Sequence, residues 1–110
     1  MREHLEKILA FQKERDWKQY HTPKNLAISL SLEAGEILEL FQWTDDHGLP
    51  DGQKEKLAHE LADVYAYLLL LAHETDIDLH SAFEAKIKIN NEKYPVEKSK
   101  GNSKKYTELN

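Results

Sequence analysis

Helix breakers are scarce in this chain. Four Gly and three Pro punctuate 110 residues, so the backbone can run on in long uninterrupted helices. Four helices account for the apolar spacing. The first is expected from about Arg2 to Asp16, with Leu5, Ile8, Leu9 and also Gln12 on one face. A short connection over 17–23 leads to Pro23, which marks a helix start rather than an interior. The second helix is expected from about Lys24 to Gln42, and the segment 45–52 (DDHGLPDG) is a loop by its turn residues.

The third helix is expected from about Gln53 to Thr75. Its stretch 65–72 (YAYLLLLA) is apolar all round, which calls for burial all round. A lone chain of this size covers such a helix poorly, so packing against a second copy is expected. Asp76 or Asp78 is placed to cap the fourth helix, from about Leu79 to Lys93, which Pro95 ends. Short loops between four helices predict an all-α four-helix bundle. The helical domain is expected over 1–95, with a polar, basic tail over 96–110 that orders on a ligand or a neighbouring chain.

Hydrophobic residues make up 40% of the chain and charged residues 32%, the balance of a soluble globular protein. The longest apolar run, Val64 to Ala72, falls far short of the ~20 residues that cross a bilayer. The N-terminus is charged and amphipathic, without the apolar core of a signal peptide. A cytoplasmic protein with no membrane partner is expected. The net charge of −5 argues against a general nucleic-acid binder. A phosphorylated ligand stays open where metal ions bridge acid to phosphate.

Two acidic pairs carry the chemistry. Glu33 and Glu36 lie three residues apart on the second helix, and Glu60 and Asp63 three apart on the third. Such spacing puts both members of a pair on one helix face. Helices joined by a loop of about ten residues run antiparallel, so the four carboxylates can converge. Hard oxygen ligands of this kind suit Mg²⁺, with Mn²⁺ as a substitute, and a divalent cation relieves their mutual repulsion. Leu30, Leu32, Ile37 and Leu40 flank one pair, and Leu57, Leu61 and Val64 the other, so the acids do not sit on a plainly solvated face. Gly35 between the two glutamates costs about 1 kcal/mol relative to Ala in a helix, which suggests close approach of another helix or a ligand. Either pair alone is a common surface feature; two pairs on adjacent helices are not.

Trp17 and Trp43 each stand just beyond an expected helix end, where they can stack on a nucleobase or close the edge of the core. Tyr67 follows Asp63 by four residues and shares its face. Lys86, Asn90 and Lys93 share one face of the fourth helix, either as a solvated face or as phosphate and base contacts. Other chemistries find no support. His59 and Glu60 begin a zincin-like pattern, but Asp63 stands where the second His is required. No Glu is followed three residues later by His, no phosphate-binding Gly-rich loop is present, and there is no Cys.

Four stretches resemble the MazG-like, all-α nucleoside triphosphate pyrophosphohydrolases, and within them the short dCTP pyrophosphatase branch. They are 11–26 (FQKERDWKQYHTPKNL), 33–43 (EAGEILELFQW), 60–67 (ELADVYAY) and 86–95 (KIKINNEKYP). The resemblance implies that Glu33, Glu36, Glu60 and Asp63 bind Mg²⁺, and that Trp17 and Trp43 help form the base pocket. It implies that Lys86, Asn90 and Tyr67 contact substrate, with His21, Lys24 and Asn25 in the same matching segments. It also implies a homodimer, or a homotetramer built from dimers. One position departs: Ile8 stands where cytosine-specific animal relatives carry His, which opens a different base preference.

The expected reaction is attack of water at the α-phosphate of a nucleoside triphosphate, with pyrophosphate leaving. Glu36 is the candidate general base and Lys86 the candidate phosphate ligand. Two other readings stay open. One is a non-catalytic helical module that dimerises and offers its acidic face to a metal or a basic partner. The other is a metal-dependent hydrolase acting on another phosphorylated compound, such as a phosphoribosyl one.

Overall fold

The computed structural model describes residues 2–43, 48–49, 52–101 and 103–108. All regular structure among them is helical. The five α-helices are α1 (Arg2–Glu14), α2 (Pro23–Glu39), α3 (Lys54–Glu74), α4 (Leu79–Lys93) and α5 (Val96–Ser99). Single 3-10 turns occur at Lys18–Tyr20 and Tyr106–Glu108. The chain divides into two compact units, Met1–Asp76 and Ile77–Asn110.

Local chemistry explains most of the helix ends. α1 stops two residues short of the expected Asp16 because Asp16 turns left-handed, at φ 53°. The Trp17 N–H then reaches back to Gln12 O (3.0 Å) and the Asp16 N–H to Lys13 O (3.1 Å), closing the helix in a Schellman motif. Thr22 caps α2, accepting the Asn25 N–H on its hydroxyl (3.2 Å), and Pro23 takes the first helical position. α2 ends at Glu39 rather than at Gln42. Its last turn tightens, with the Leu40 N–H on Ile37 O and the Phe41 N–H on Leu38 O. α3 matches its expected span to within a residue at each end. Of the two candidate caps for α4, Asp78 takes the role, accepting the Ser81 N–H (3.2 Å), while Asp76 is left-handed at φ 56°. Of the expected loop at 45–52, residues 45–47, 50 and 51 lie outside the described residues; Gly48 and Gly52 both take positive φ.

In the first unit, α3 packs against both α2 and α1. Its direction follows from side-chain contacts. Glu60 of α3 meets Glu36 of α2, whereas Tyr67, two turns on, meets His21, ahead of the start of α2. α2 and α3 are therefore antiparallel, as expected. By contrast, His4 of α1 meets Tyr65, and Leu9 and Gln12 share a cavity with His73, so α1 runs parallel to α3. Buried apolar side chains are Leu26 on α2 and Leu69, Leu70 and Ala72 on α3. The stretch 65–72 is not buried all round: Leu68 is 38% exposed and Tyr65, Ala66, Tyr67 and Leu71 are half-buried.

The second unit holds α4, with no buried residue and with Phe83, Ile87 and Ile89 exposed. The expected boundary at residue 95 falls inside this unit, where Pro95 sits ahead of the single turn of α5. The segment 96–110 therefore carries α5 and a 3-10 turn of its own. No helix among the described residues is long and apolar enough to cross a membrane.

Candidate functional site

The spacing of three that joins Glu33 to Glu36 puts both on the side of α2 that faces α3. One carboxylate oxygen from each of Glu33, Glu36 and Glu60 lies within 4.8 Å of the others. Glu33 and Glu60 are half-buried and Glu36 is exposed. Asp63, one turn beyond Glu60, is exposed and does not join this trio of oxygens. It stands close enough, however, to add its charge to Glu33 and Glu60.

Crowding shows in the acidities. The Glu33 carboxyl is pushed up to about 7, first by burial, then by its hydrogen bond with Glu36 and by repulsion from Glu36, Asp63 and Glu60. Glu60 is also raised, chiefly by its hydrogen bond with Glu36, then by burial and the charges of Glu36 and Asp63, partly offset by Glu33. Oε2 of Glu33 and Oε2 of Glu60 are shut off from water and have no hydrogen-bond partner. A buried carboxylate oxygen without a donor is costly. The donor set is all oxygen and anionic, so the residues present fit a hard divalent cation, which would satisfy both orphaned atoms at once.

A line of rings runs beside the acids in the same unit. Phe11 meets Trp17 edge-on (5.7 Å between centroids), Trp17 meets His21 (6.3 Å), and His21 meets Tyr67 (6.4 Å). The Arg15 guanidinium lies 3.6 Å from the centre of the Phe11 ring and also donates to Phe11 O. Trp17 remains 43% exposed. Tyr67 stands one helical turn beyond Asp63, so this aromatic line ends next to the acidic pair of α3. Asn25 donates its side-chain amide to Tyr20 O (3.0 Å), which ties the 3-10 turn to the start of α2.

Within the first unit, not every expected site residue joins this arrangement. Trp43 follows the end of α2 and is 90% exposed, without a ring contact among the described residues. Lys24 is exposed near the start of α2. Lys86 and Asn90 lie on α4 in the second unit, the first exposed and the second half-buried. Two residues gain weight that the sequence did not give them. Phe11 supports Trp17, and Gln12, read only as an edge of the apolar face, is buried and bonded to His21 (2.9 Å). The signal for Gln12 was present: it continues the stripe of Leu5, Ile8 and Leu9.

Residues 28–109 match the MazG-like family. The chain belongs to that family. This MazG-like chain is 44% identical to human dCTP pyrophosphatase 1 and 42% identical to the mouse protein, each over 104 residues. The matched region is 90% of this chain and 61% of either relative, so the chain spans about three fifths of their length. A crystal structure of a pyrophosphatase from Archaeoglobus fulgidus superposes with a TM-score of 0.78 at 40% identity, covering 86% of this chain and 92% of that one. The helical fold is thus shared with this solved relative.

Proposed function

We propose that this protein is a Mg²⁺-dependent nucleoside triphosphate pyrophosphohydrolase that converts a (d)NTP to the monophosphate and pyrophosphate. The observation that carries the reading is the trio of Glu33, Glu36 and Glu60, with two buried oxygens lacking a partner, in a MazG-like chain. Relatives called dCTP pyrophosphatase 1 support a pyrimidine deoxynucleotide such as dCTP, or a modified nucleotide, as substrate. Removal of unwanted nucleotides from the pool, in the cytoplasm, is the role that goes with it.

Glu33, Glu36, Glu60 and Asp63 would hold the cation. When bound, Mg²⁺ (or Mn²⁺ in its place) supplies charge neutralisation for the triphosphate and a more acidic water. Glu36, the most open of the trio, accepts a proton from the attacking water. The water oxygen bonds to the α-phosphorus as the bond from that phosphorus to the bridging oxygen breaks, and pyrophosphate leaves with the electron pair. Lys86 binds phosphate. Trp17 and Trp43 stack on the base, and His21, Tyr67 and Asn90 make the remaining substrate contacts. The protein works as a homodimer or homotetramer, which would cover Leu68 and the other exposed leucines.

Anion-exchange analysis of products from each dNTP and NTP, with Mg²⁺ or with EDTA, tests the reading. Monophosphate and pyrophosphate are expected only with Mg²⁺. A folded, oligomeric protein that turns over none of them would instead favour a non-catalytic helical module with an acidic, metal- or partner-binding face.

A further inference from the structure

Gln12 is 3% exposed, the only polar side chain among the buried described residues. Its amide nitrogen Nε2 lies 2.9 Å from Nδ1 of His21. An amide NH₂ has only hydrogens to offer, so Nδ1 must receive the bond with its lone pair. In a neutral imidazole the single proton then sits on Nε2. The His21 ring is also held by neighbours, Trp17 at 6.3 Å and Tyr67 at 6.4 Å between centroids. Its identity as a donor is thus set from behind by Gln12, and its orientation by two aromatic rings.

We infer that Gln12 is a positioning residue that locks His21 as the Nε2–H tautomer, so that His21 offers the substrate one neutral hydrogen-bond donor. The inference rests on the proposed function for the identity of the ligand. A donor of this kind selects an acceptor atom: a carbonyl oxygen or unprotonated ring nitrogen of a base, or a phosphate oxygen. The aromatic surroundings of His21 favour the base. Gln12 itself touches no substrate. Its burial behind His21 explains why a polar residue occupies the apolar stripe of α1, where a Leu would leave Nδ1 without a partner.

The test uses the ¹⁵N-labelled full chain. Long-range ¹H–¹⁵N spectra, recorded above the ordinary imidazole range near 6.5, distinguish a protonated ring nitrogen from a bare one. Wild-type His21 is expected to be bare at Nδ1 and protonated at Nε2. Gln12→Glu, isosteric but only an acceptor, should draw the proton to Nδ1 and invert the pattern. Gln12→Leu, which brings no charge, should give a mixture of tautomers and keeps the test decisive where Gln12→Glu does not fold. In parallel, Gln12→Glu should raise KM for the preferred dNTP by roughly tenfold, the worth of one hydrogen bond, with kcat changed by less than about twofold.

Binding of inorganic tripolyphosphate separates the two acceptor sources. Unaltered affinity for it in Gln12→Glu assigns His21 to the base, and a matching loss assigns it to phosphate. A wild-type His21 protonated at Nδ1, or tautomers indifferent to Gln12, overturns the positioning role. An inverted tautomer with unchanged KM overturns the assignment of His21 to substrate. Wild-type protein that hydrolyses no nucleotide removes the proposed function, while the spectra still decide whether Gln12 sets the tautomer.

Discussion

Glu60 reaches from α3 to Glu36 of α2, so that oxygens of the two carboxyls lie within 4.8 Å of each other and of Glu33. Two carboxylates this close on facing helices repel unless a proton or a cation stands between them. The acidic trio is therefore the point in the first unit where charge works against the fold, and where a bound cation would reverse the sign.

That relationship predicts a dependence on pH. The Glu33 carboxyl rises to about 7 in the folded chain, from 4.5. Between those values the folded chain keeps a proton that the unfolded chain has released, so stability falls as pH rises through the window. In EDTA, the melting temperature is expected to drop from pH 5 to pH 7.5 by a few degrees more in wild type than in Glu33→Gln. Added Mg²⁺ should abolish the difference. Thermal melts of both proteins check it, and parallel curves would remove Glu33 from the account.

Activity should depend on the acids more steeply than stability does. Glu36→Gln and Asp63→Asn are expected to lower kcat by about a hundredfold or more, in the range of lost general-base catalysis. Both side chains are exposed, so helix content by circular dichroism should be unchanged. Full activity in either variant would take that residue out of the mechanism.

Trp17 offers a test of base recognition. It is 43% exposed and propped edge-on by Phe11. Trp17→Ala should raise KM for the preferred nucleotide by about 1–3 kcal/mol of lost stacking, roughly 5- to 150-fold. Nucleotide binding should quench the fluorescence of a Trp43→Phe variant, which keeps Trp17 alone. Quenching only in the converse Trp17→Phe variant would move the base to Trp43.

Leu68 tests the assembly. It lies 38% exposed between half-buried Tyr67 and buried Leu69 on the apolar turn of α3. Light scattering after gel filtration is expected to give a dimer or tetramer for wild type and a smaller species for Leu68→Glu. A monomeric wild type would leave this apolar surface without the covering that the proposed oligomer provides.

A local prediction concerns the start of α2. The Thr22 hydroxyl is the acceptor for the Asn25 N–H. Thr22→Ala should cost about 1 kcal/mol, read as a lower urea midpoint with an unchanged slope.

The residues themselves determined the parts of this protein that depend on near neighbours along the chain. Pro23 marked where α2 begins, Asp76 or Asp78 where α4 does, and the spacing of three put each acidic pair on one face. The motifs around Glu33, Glu60 and Trp17 pointed to the MazG-like family. Those features follow from backbone conformation and from 3.6 residues per turn. The tertiary structure decided the rest, because it depends on how each helix is rotated against its partner. Pattern alone could not choose Glu33, Glu36 and Glu60 as the meeting trio over Asp63, since all four lie on facing surfaces. It could not stop α2 at Glu39, because Leu40, Phe41 and Gln42 are all acceptable in a helix. Nor could it tell that Leu68 would be left partly open while Gln12 was buried against His21. One is apolar and exposed, the other polar and enclosed, and only packing decides such cases.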